Sequence, residues 1–467
     1  MKRKEALCTF GIGLEEAKEM FSSWIQEEPS RKIFLLEEGA LQNLAWQHLL
    51  FDLKLALSPV LSEEQKQLGS ELFERLKFWQ IGAEALLADV KDQGKKVADN
   101  ILSNLPLLEG AYFASSLAQS YKGIPALICG AGPSLHRHLP LLKIARERTL
   151  LFAGGTALKV VAESGSVPHF AAALDPDPPP PLFSSEAIKG VPFFFPLRLA
   201  KRILLKIEGP RIWAADGISY PLEHWLTKQL GLDEPNIEGG WNVATFCISL
   251  AAMMGCNPIV LVGVDLSLPE GKSYTSDVDH SYQKNHLIET TQGLTKGDFI
   301  LAADWIASFK ENHPSIQLIN VSKEAWPMEG VDYCSLDSLI KRFPQHGISS
   351  IEESSLGLQV QCAHAPSEII QGWKRSLAIA DDHCASLIER LEKNFPSDPR
   401  QLGNYILHEV ELEEEPAAQF FLEPIWMVWK HLFNEEDLNE PYRGFRETVQ
   451  KWLFWRSIIK EMDDAAV

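Results

Sequence analysis

The chain has 467 residues, more than one ordinary hydrophobic core requires, and this length predicts about three domains. Hydrophobic residues make up 45% and charged residues 23%, a composition typical of globular proteins. The 63 acidic residues outnumber the 44 basic ones and give a formal net charge of −19. So acidic a surface repels phosphate backbones, which argues against nucleic acid as a general partner.

The seven cysteines are scattered, and neither a C-x-x-C pair nor a Cys/His cluster occurs. A disulfide framework or a structural zinc site is therefore not expected. The basic N-terminus leads into a short apolar run that meets Gly11 and Gly13, which does not fit a signal peptide. No window approaches the ~18 apolar residues of a membrane-spanning helix. We expect a soluble, cytoplasmic protein.

Residues 1–95 carry the pattern of a small Rossmann-like unit. A strand at 6–10 leads through a glycine turn into a helix from 14 to about 26, and a second strand, 32–36, ends in two glutamates. This is the start of a dinucleotide-binding fold, but the third glycine of that motif is missing. Both nucleotide binding and a purely structural role stay open for this unit.

A long helix is predicted from about 62 to 103, linking this unit to the next domain. Its apolar residues fall on one stripe at helical spacing. The members of the stripe are Leu68, Leu72, Leu76, Trp79 and Leu86.

Strands and helices alternate regularly from residue 121 onwards, which predicts a mostly parallel sheet covered by helices. The predicted strands are 125–129, 149–153, 169–174, 191–195, 211–215, 258–262 and 316–320. The polar segment 267–293 is predicted to be irregular and is long for a plain connection, as functional lids are. We place this Rossmann-like central domain at 96–345.

The last part of the chain, 346–467, is predicted to be a helical bundle. Apolar residues alternate at spacings of four and three, the pattern of a helix packed on other helices. They are Trp373, Leu377, Ala380, Cys384, Leu387 and Leu391. The fold class expected for the whole chain is therefore α/β, with a small N-terminal Rossmann-like unit and a C-terminal helical bundle.

Five short segments at strand or helix ends carry glycine or aspartate, and in an open parallel sheet such ends form the ligand site. They are 130–134, 154–156, 175–177, 239–242 and 263–265. In the first, Gly130 and Gly132 turn the backbone, and Pro133 and Ser134 start a helix. This pattern predicts free backbone amides at a positive helix end, suited to a phosphate or carboxylate.

Several titratable residues near these ends are candidates for chemistry. Asp175 and Asp177 point to one side of an extended chain and either hold Mg²⁺ on a diphosphate or are solvated. Asp265 either orients a ribose or acceptor hydroxyl or caps the next turn. His280 and His286 are candidate general bases, since a neutral imidazole can deprotonate a hydroxyl near pH 7.

Six sequence blocks in the central region resemble the motility-associated factor (Maf) flagellin glycosyltransferases. The blocks lie at 130–135, 152–157, 167–176, 239–244, 260–266 and 319–330, the first reading Gly-Ala-Gly-Pro-Ser-Leu and the fourth Gly-Gly-Trp-Asn-Val-Ala. That central domain is shared with 6-hydroxymethylpterin diphosphokinases and is similar to sialyltransferases that use CMP-sialic acid.

The resemblance implies transfer of pseudaminic or legionaminic acid from a CMP-sugar to Ser or Thr of flagellin in the cytoplasm. It implies a donor pocket built from Gly130, Gly132, Pro133, Ser134, Gly154, Thr156, Asp175, Gly239, Gly240, Asn242 and Asp265. The family pattern has a Thr-His pair shortly after a glycine–lysine. Here Gly271-Lys272 is followed by Ser-Tyr-Thr, and the first histidine is His280, which implies a different acceptor or a loss of activity.

Two alternatives accompany the transferase hypothesis. One is a diphosphokinase that moves diphosphate from ATP to a pterin alcohol, with Mg²⁺ on Asp175 and Asp177. The other is a non-catalytic nucleotide-binding scaffold that binds a partner through its helical domain. The leading hypothesis requires a CMP-sugar as substrate but no fixed cofactor, and it leaves a homo-oligomer open.

Overall fold

The computed structural model describes residues 3–215, 221–268, 287–290, 293–346, 348, 351–393, 405, 410–432 and 443–464. The chain forms two compact units, one of residues 1–92 with 427–440 and one of residues 93–426 with 441–467. The three-domain division at 95 and 345 stays a prediction.

The first unit is built on a three-stranded parallel sheet. Its elements are β1 Lys4–Phe10, α1 Leu14–Met20, α2 Ser22–Glu27, β2 Lys32–Leu35, α3 Leu41–Gln47, β3 Phe51–Leu57 and the first part of α4 Glu63–Asn104. The strand order is β2-β1-β3. The helix predicted over 14–26 is interrupted at Phe21, and β3 was missed from the sequence.

The long helix α4 confirms the predicted span but divides the predicted stripe. Leu72 and Leu76 are buried against the small sheet, together with Phe73. Leu68, Trp79 and Leu86 are 46%, 42% and 42% exposed. At 100° per residue, Leu68, Trp79 and Leu86 lie along one side of the helix, next to the side that carries Leu72 and Leu76. The three-stranded sheet is narrow and covers only the side with Leu72 and Leu76.

The second unit contains most of the chain. In chain order its elements are the last part of α4, β4 Tyr112–Phe113, β5 Ala126–Cys129, α5 Leu135–Arg146, β6 Leu150–Gly154, α6 Gly155–Glu163, β7 Phe170–Ala172, β8 Phe193–Phe195, α7 Lys201–Leu204, β9 Arg211–Trp213, α8 Pro221–Gln229, α9 Val243–Met253, β10 Ile259–Val262, β11 Leu287–Thr290, β12 Gly293–Lys296, α10 Gly297–Asn312, β13 Leu318–Asn320, β14 Asp332–Tyr333, α11 Leu336–Arg342, α12 Pro366–Lys393, the first part of α13 Glu423–Trp429, and α14 Arg443–Asp464.

The main sheet has nine strands in the order β14-β13-β10-β5-β6-β7-β8-β9-β4. Every pairing in it is parallel. Its central strands are apolar along their whole length and fully buried, as strands covered by helices on both faces must be. The expected α/β class with a parallel central sheet is confirmed.

The order of the strands reverses beside β5. From β5 the chain adds β6, β7, β8 and β9 on one side, and β10, β13 and β14 on the other. In β5, Ile128 is level with Phe152 of β6 and Leu261 of β10. The gap between β5 and β10 is therefore the topological switch point, where open α/β sheets bind ligands.

The segment predicted to be irregular over 267–293 is partly regular. Its end forms β11, which pairs antiparallel with β12. Leu268 N donates to Leu294 O at 2.9 Å, so the hairpin is held next to the chain that leaves β10. The sequence analysis missed this hairpin because its strands, Leu-Ile-Glu-Thr and Gly-Leu-Thr-Lys, contain no apolar run of the kind that marks the strands of the main sheet.

Helices of the C-terminal part pack as their spacing predicts. All six residues of the predicted stripe in α12 are buried. The ring centroid of Trp373 in α12 lies 5.7 Å from that of Trp225 in α8. Among the described residues, no helix combines the length and the apolar run needed to cross a bilayer.

Candidate functional site

The switch point is formed by two interlocked turns, one after β5 and one after β10. Gly130 N donates to Val262 O at 2.8 Å, and Gly132 N donates to Gly263 O at 2.7 Å. These bonds continue the β5–β10 pairing beyond the strand ends. The two turns therefore lie side by side at the carboxyl edge of the sheet.

A carboxylate of the protein itself lies at the start of α5. Ser134 N donates to Asp265 Oδ2 at 2.7 Å, and Ser134 Oγ donates to Asp265 Oδ1 at 2.5 Å. Asp265 is only 4% exposed and Ser134 only 2%. A negative charge is favourable at a helix N-terminus because the helix dipole is positive there. Asp265 thus fills the position expected for a ligand's anion.

This arrangement corrects one expectation from the sequence. The amides of Gly130, Gly132 and Ser134 were predicted to be free for a ligand, and all three are hydrogen-bonded within the protein. Pro133 has no amide proton to donate. A ligand at this edge must therefore contact other groups on the outer side of the turn, or displace Asp265.

The glycines of the two turns are required by close packing. A Cβ on Gly132 would lie 2.6 Å from Asp265 Oδ2, and a Cβ on Gly130 would lie 2.5 Å from Gly263 O. Gly263 has a φ of 69°, a left-handed conformation that favours glycine. From the sequence, we interpreted the missing Cβ atoms of Gly130 and Gly132 as space for a ligand. In the structure, the neighbouring turn after β10 occupies that space.

Residues at the end of β13 and just after it support the switch point from the other side. Asn320 Nδ2 donates to Val264 O at 3.1 Å, and Trp326 N donates to Asp265 O at 2.7 Å. Glu324 pairs with Arg137 of α5 at 3.3 Å. The sequence analysis assigned no role to these residues, because only the strand order places β13 next to β10.

A second pair of turns, one after β6 and one before α9, lies beside the first. A Cβ on Gly154, at the end of β6, would lie 2.2 Å from Val243 Cγ1, so the β6 turn packs directly on the start of α9. Asn242 caps α9, since its Oδ1 accepts from Ala244 N at 2.9 Å and Thr245 N at 3.0 Å. The half-buried Thr156 lies in the first turn of α6.

The other two glycines of this second pair also have packing roles. Gly240 has a φ of 64°, and a Cβ there would lie 2.4 Å from Thr245 Oγ1. Gly239 O accepts from Thr245 Oγ1 at 2.9 Å. Because β5 and β6 are neighbours, the structure brings the predicted donor-site residues of 130–134, 154–156, 239–242 and 265 to one edge.

The Asp175–Asp177 pair is exposed and lies past β7, two strands from β5. Asp177 pairs with Lys96 at 2.6 Å and also with Arg202. The hydrogen bond from Lys96, helped by Arg202, lowers the pKa of Asp177. Asp175 Oδ1 accepts from Asp177 N at 2.8 Å. The charge of Asp177 is therefore already balanced by two cations.

The metal hypothesis for these aspartates stays a prediction. In the described part of the chain, no group of three or more His, Cys, Asp or Glu side chains is placed to hold a metal ion. The predicted bases His280 and His286, and the 271–275 stretch, lie outside the described residues.

Comparisons with known proteins agree with this architecture. Residues 99–271 match the family described as 6-hydroxymethylpterin diphosphokinase MptE-like. Among curated proteins, none matches the chain. A solved structure, the Maf glycosyltransferase from Magnetospirillum magneticum AMB-1, is similar in fold with a TM-score of 0.52 and 14% identity. The similarity covers 98% of this chain and 78% of that one.

Proposed function

We propose that this chain is a cytoplasmic glycosyltransferase. It transfers a nonulosonic, sialic-acid-like sugar from a CMP-activated donor to a Ser or Thr hydroxyl of an acceptor protein such as flagellin. The observation that carries the proposal is the meeting of the β5 and β10 turns at the switch point. It is supported by a fold similar to a Maf glycosyltransferase and by six sequence blocks of that type.

The position of the site in the sheet supports this proposal. The switch point lies at the edge where nucleotides bind in open α/β sheets. Thr156 at the start of α6 lies on the neighbouring turn, within the same edge as Asn242. Asp265 acts here as a positioning residue, because both of its carboxylate oxygens are engaged with Ser134.

The test is binding followed by transfer. The full chain is heated with CMP, CTP or ATP, and we expect CMP and CTP to raise the Tm and ATP to raise it less. It is then incubated with CMP-pseudaminic or CMP-legionaminic acid and purified flagellin, and we expect the flagellin mass to increase by the sugar. No stabilisation by a cytidine nucleotide and no change in flagellin mass would refute the proposal.

A second candidate is a Mg²⁺-dependent diphosphokinase acting on 6-hydroxymethylpterin with ATP. The description of the family that matches 99–271 favours it. The ion pairs of Asp177 with Lys96 and Arg202 count against a metal on that carboxylate. This candidate predicts that AMP is released from ATP in the presence of the pterin, and that EDTA stops the release.

A further inference from the structure

Arg137, in the first turn of α5, forms an exposed ion pair with Glu324, in the segment after β13. Its Nη1 donates to Oε1 of Glu324 at 3.3 Å and to Oε2 at 3.4 Å. The two side chains have 62% and 60% of their surfaces exposed. This ion pair, the Arg137–Glu324 bridge, is therefore accessible to a ligand from solution.

Hydrogen bonds on both sides place the bridge at the turn after β10. On one side, Ser134, three residues before the arginine, donates to Asp265. On the other side, Ser267 Oγ donates to Glu324 O at 3.2 Å, and Trp326 N donates to Asp265 O at 2.7 Å. The bridge therefore joins the two segments that flank Asp265 at the switch point.

The bridge is weak and uses little of the guanidinium. Charge-assisted N–H···O bonds are usually about 2.7–2.9 Å long, and both bonds here are longer. Both come from Nη1, and within the described part of the chain Nε and Nη2 of Arg137 donate to no partner. An exposed ion pair stabilises a protein little. A phosphate, which can accept from two of these nitrogens at once, suits the guanidinium better and can replace the carboxylate.

The charge of the site makes such a cation necessary. A chain with a formal net charge of −19 binds an anionic nucleotide only where local groups attract it. Asp265 already occupies the amide and hydroxyl of Ser134. A hydrogen bond from its own backbone amide, helped by Arg137, lowers the pKa of Glu324, so this carboxylate is charged at pH 7. An incoming phosphate therefore meets both an attracting arginine and a competing anion.

We propose that Arg137 binds the phosphate of the nucleotide donor and that Glu324 competes with the phosphate for Arg137. The inference rests on the proposed function and deepens it by naming the group that holds the phosphate. Without the donor, the guanidinium pairs with Glu324. When the donor binds, its phosphate takes the place of the Glu324 carboxylate.

The experiment measures the Kd of CMP and of cytidine for the full chain and two variants by titration calorimetry. We expect Arg137→Gln to weaken CMP binding by about 10-fold or more, because hydrogen bonds to a charged group are lost. Glu324→Gln should strengthen CMP binding by about 2- to 5-fold, because the competing carboxylate is gone. Cytidine has no phosphate, so its Kd should change in neither variant. A bridge that only stabilised the fold would not give these opposite effects.

A second exposed ion pair, Lys393–Glu389 of α12, supplies the matched controls. Lys393→Gln and Glu389→Gln change the net charge by the same amounts as the two test variants, and the Kd of CMP should stay unchanged in both. Urea unfolding shows whether each variant is folded. If Arg137→Gln does not fold, the strengthened CMP binding of Glu324→Gln decides the question alone.

The possible failures can be told apart. If the native chain binds CMP and Arg137→Gln binds it equally well, or if Glu324→Gln does not bind it more tightly, the inference is overturned and the proposed function stands. If only the KM for the CMP-sugar rises in Arg137→Gln, the arginine binds the sugar carboxylate and the assignment to the phosphate is overturned. If the native chain does not bind CMP, the proposed function and this inference fail together.

Discussion

At the scale of single residues, the Asp265 carboxylate holds the two turns of the switch point together. It accepts two hydrogen bonds from Ser134, which lies 131 positions earlier in the chain. Both residues are buried, so a Ser134 donor that lost its acceptor could not bond to water instead. We therefore expect the two hydrogen bonds to contribute more to the free energy of unfolding than the charge of Asp265 does.

Two substitutions at Asp265 separate these contributions. Asp265→Ala leaves the Ser134 N–H buried without an acceptor, and we expect a loss of about 2–3 kcal/mol in the free energy of unfolding. Asp265→Asn keeps the shape and two possible hydrogen bonds but removes the charge at the helix start, which costs only about 0.3–1 kcal/mol. Urea unfolding measures both. Equal losses in the two variants would contradict the assignment.

Gly263 tests whether the glycines serve close packing. Its φ is 69°, and a Cβ there would lie 2.4 Å from Gly130 O and 2.8 Å from Leu135 Cβ. We expect Gly263→Ala to destabilise the protein by at least about 2 kcal/mol.

Gly372 is the matched control for that substitution. It lies inside α12, and apart from its chain neighbours and the nearby backbone of its own helix, a Cβ there would have no heavy atom within 4 Å. Gly372→Ala should therefore increase the free energy of unfolding by up to about 1 kcal/mol. A similar effect of both substitutions in urea unfolding would show that the packing of Gly263 has been misread.

Residue patterns predicted these turns well but not what occupies the space beside Gly130 and Gly132. The G-x-G-P-S motif correctly indicates a strand, a sharp turn and a helix start. Whether the space beside a glycine admits a ligand or another turn depends on Gly263 and Asp265, which no local pattern connects to Gly130. Only the strand order brings them together.

At the scale of elements, His169 joins β6 to β7. Its Nδ1 accepts from Leu151 N at 3.0 Å, so the ring proton is on Nε2, which donates to Ile348 O at 3.1 Å. The ring must be neutral to accept at Nδ1. Burial, with a smaller effect of Arg146, lowers the pKa of His169 from 6.5 to about 4.

The pH dependence follows from this lowered pKa. The unfolded chain binds a proton at His169 below about pH 6.5, and the folded chain does so only near pH 4. The stabilisation is complete above pH 6.5 and is lost as the pH falls. Between pH 7.5 and 5 we expect His169 to account for roughly 2 kcal/mol of lost stability.

His169→Gln checks the assignment, because glutamine can accept from Leu151 N and donate to Ile348 O but does not titrate. Urea unfolding of the native chain and this variant at pH 7.5 and 5 measures the difference. The variant should lose about 2 kcal/mol less on acidification. An unchanged pH dependence would show that His169 is not a neutral buried base.

The helix α4 gives a prediction about the first unit. Leu76 is fully buried and Leu68 is 46% exposed. We expect Leu76→Ala to cost about 2–5 kcal/mol of unfolding free energy and Leu68→Ala less than about 0.5 kcal/mol. Comparable losses, measured by thermal or urea unfolding, would mean that the predicted five-residue stripe is buried after all.

At the scale of the whole molecule, the sequence predicted the α/β class, the parallel sheet, the long α4 and the buried stripe of α12. It did not predict β4 or β14, since two-residue strands have no periodicity to detect. It could not predict the strand order, because β10 joins β5 through contacts between residues more than 130 positions apart. The switch point is a property of that order.

The net charge of the molecule limits how it can bind an anionic ligand. A chain with a formal net charge of −19 must bind an anionic nucleotide through local groups. At the switch point, Asp265 already fills the helix start. A donor bound there would either leave the Asp265–Ser134 bonds intact or replace them.

Hydrogen exchange of the full chain with and without saturating CMP tests the central claim most directly. The switch point as donor site predicts slower exchange in peptides covering 129–136 and 262–268. Peptides covering 4–57, in the first unit, should not change. If CMP slows exchange only elsewhere, or if no peptide changes at saturation, the switch point is not the donor site.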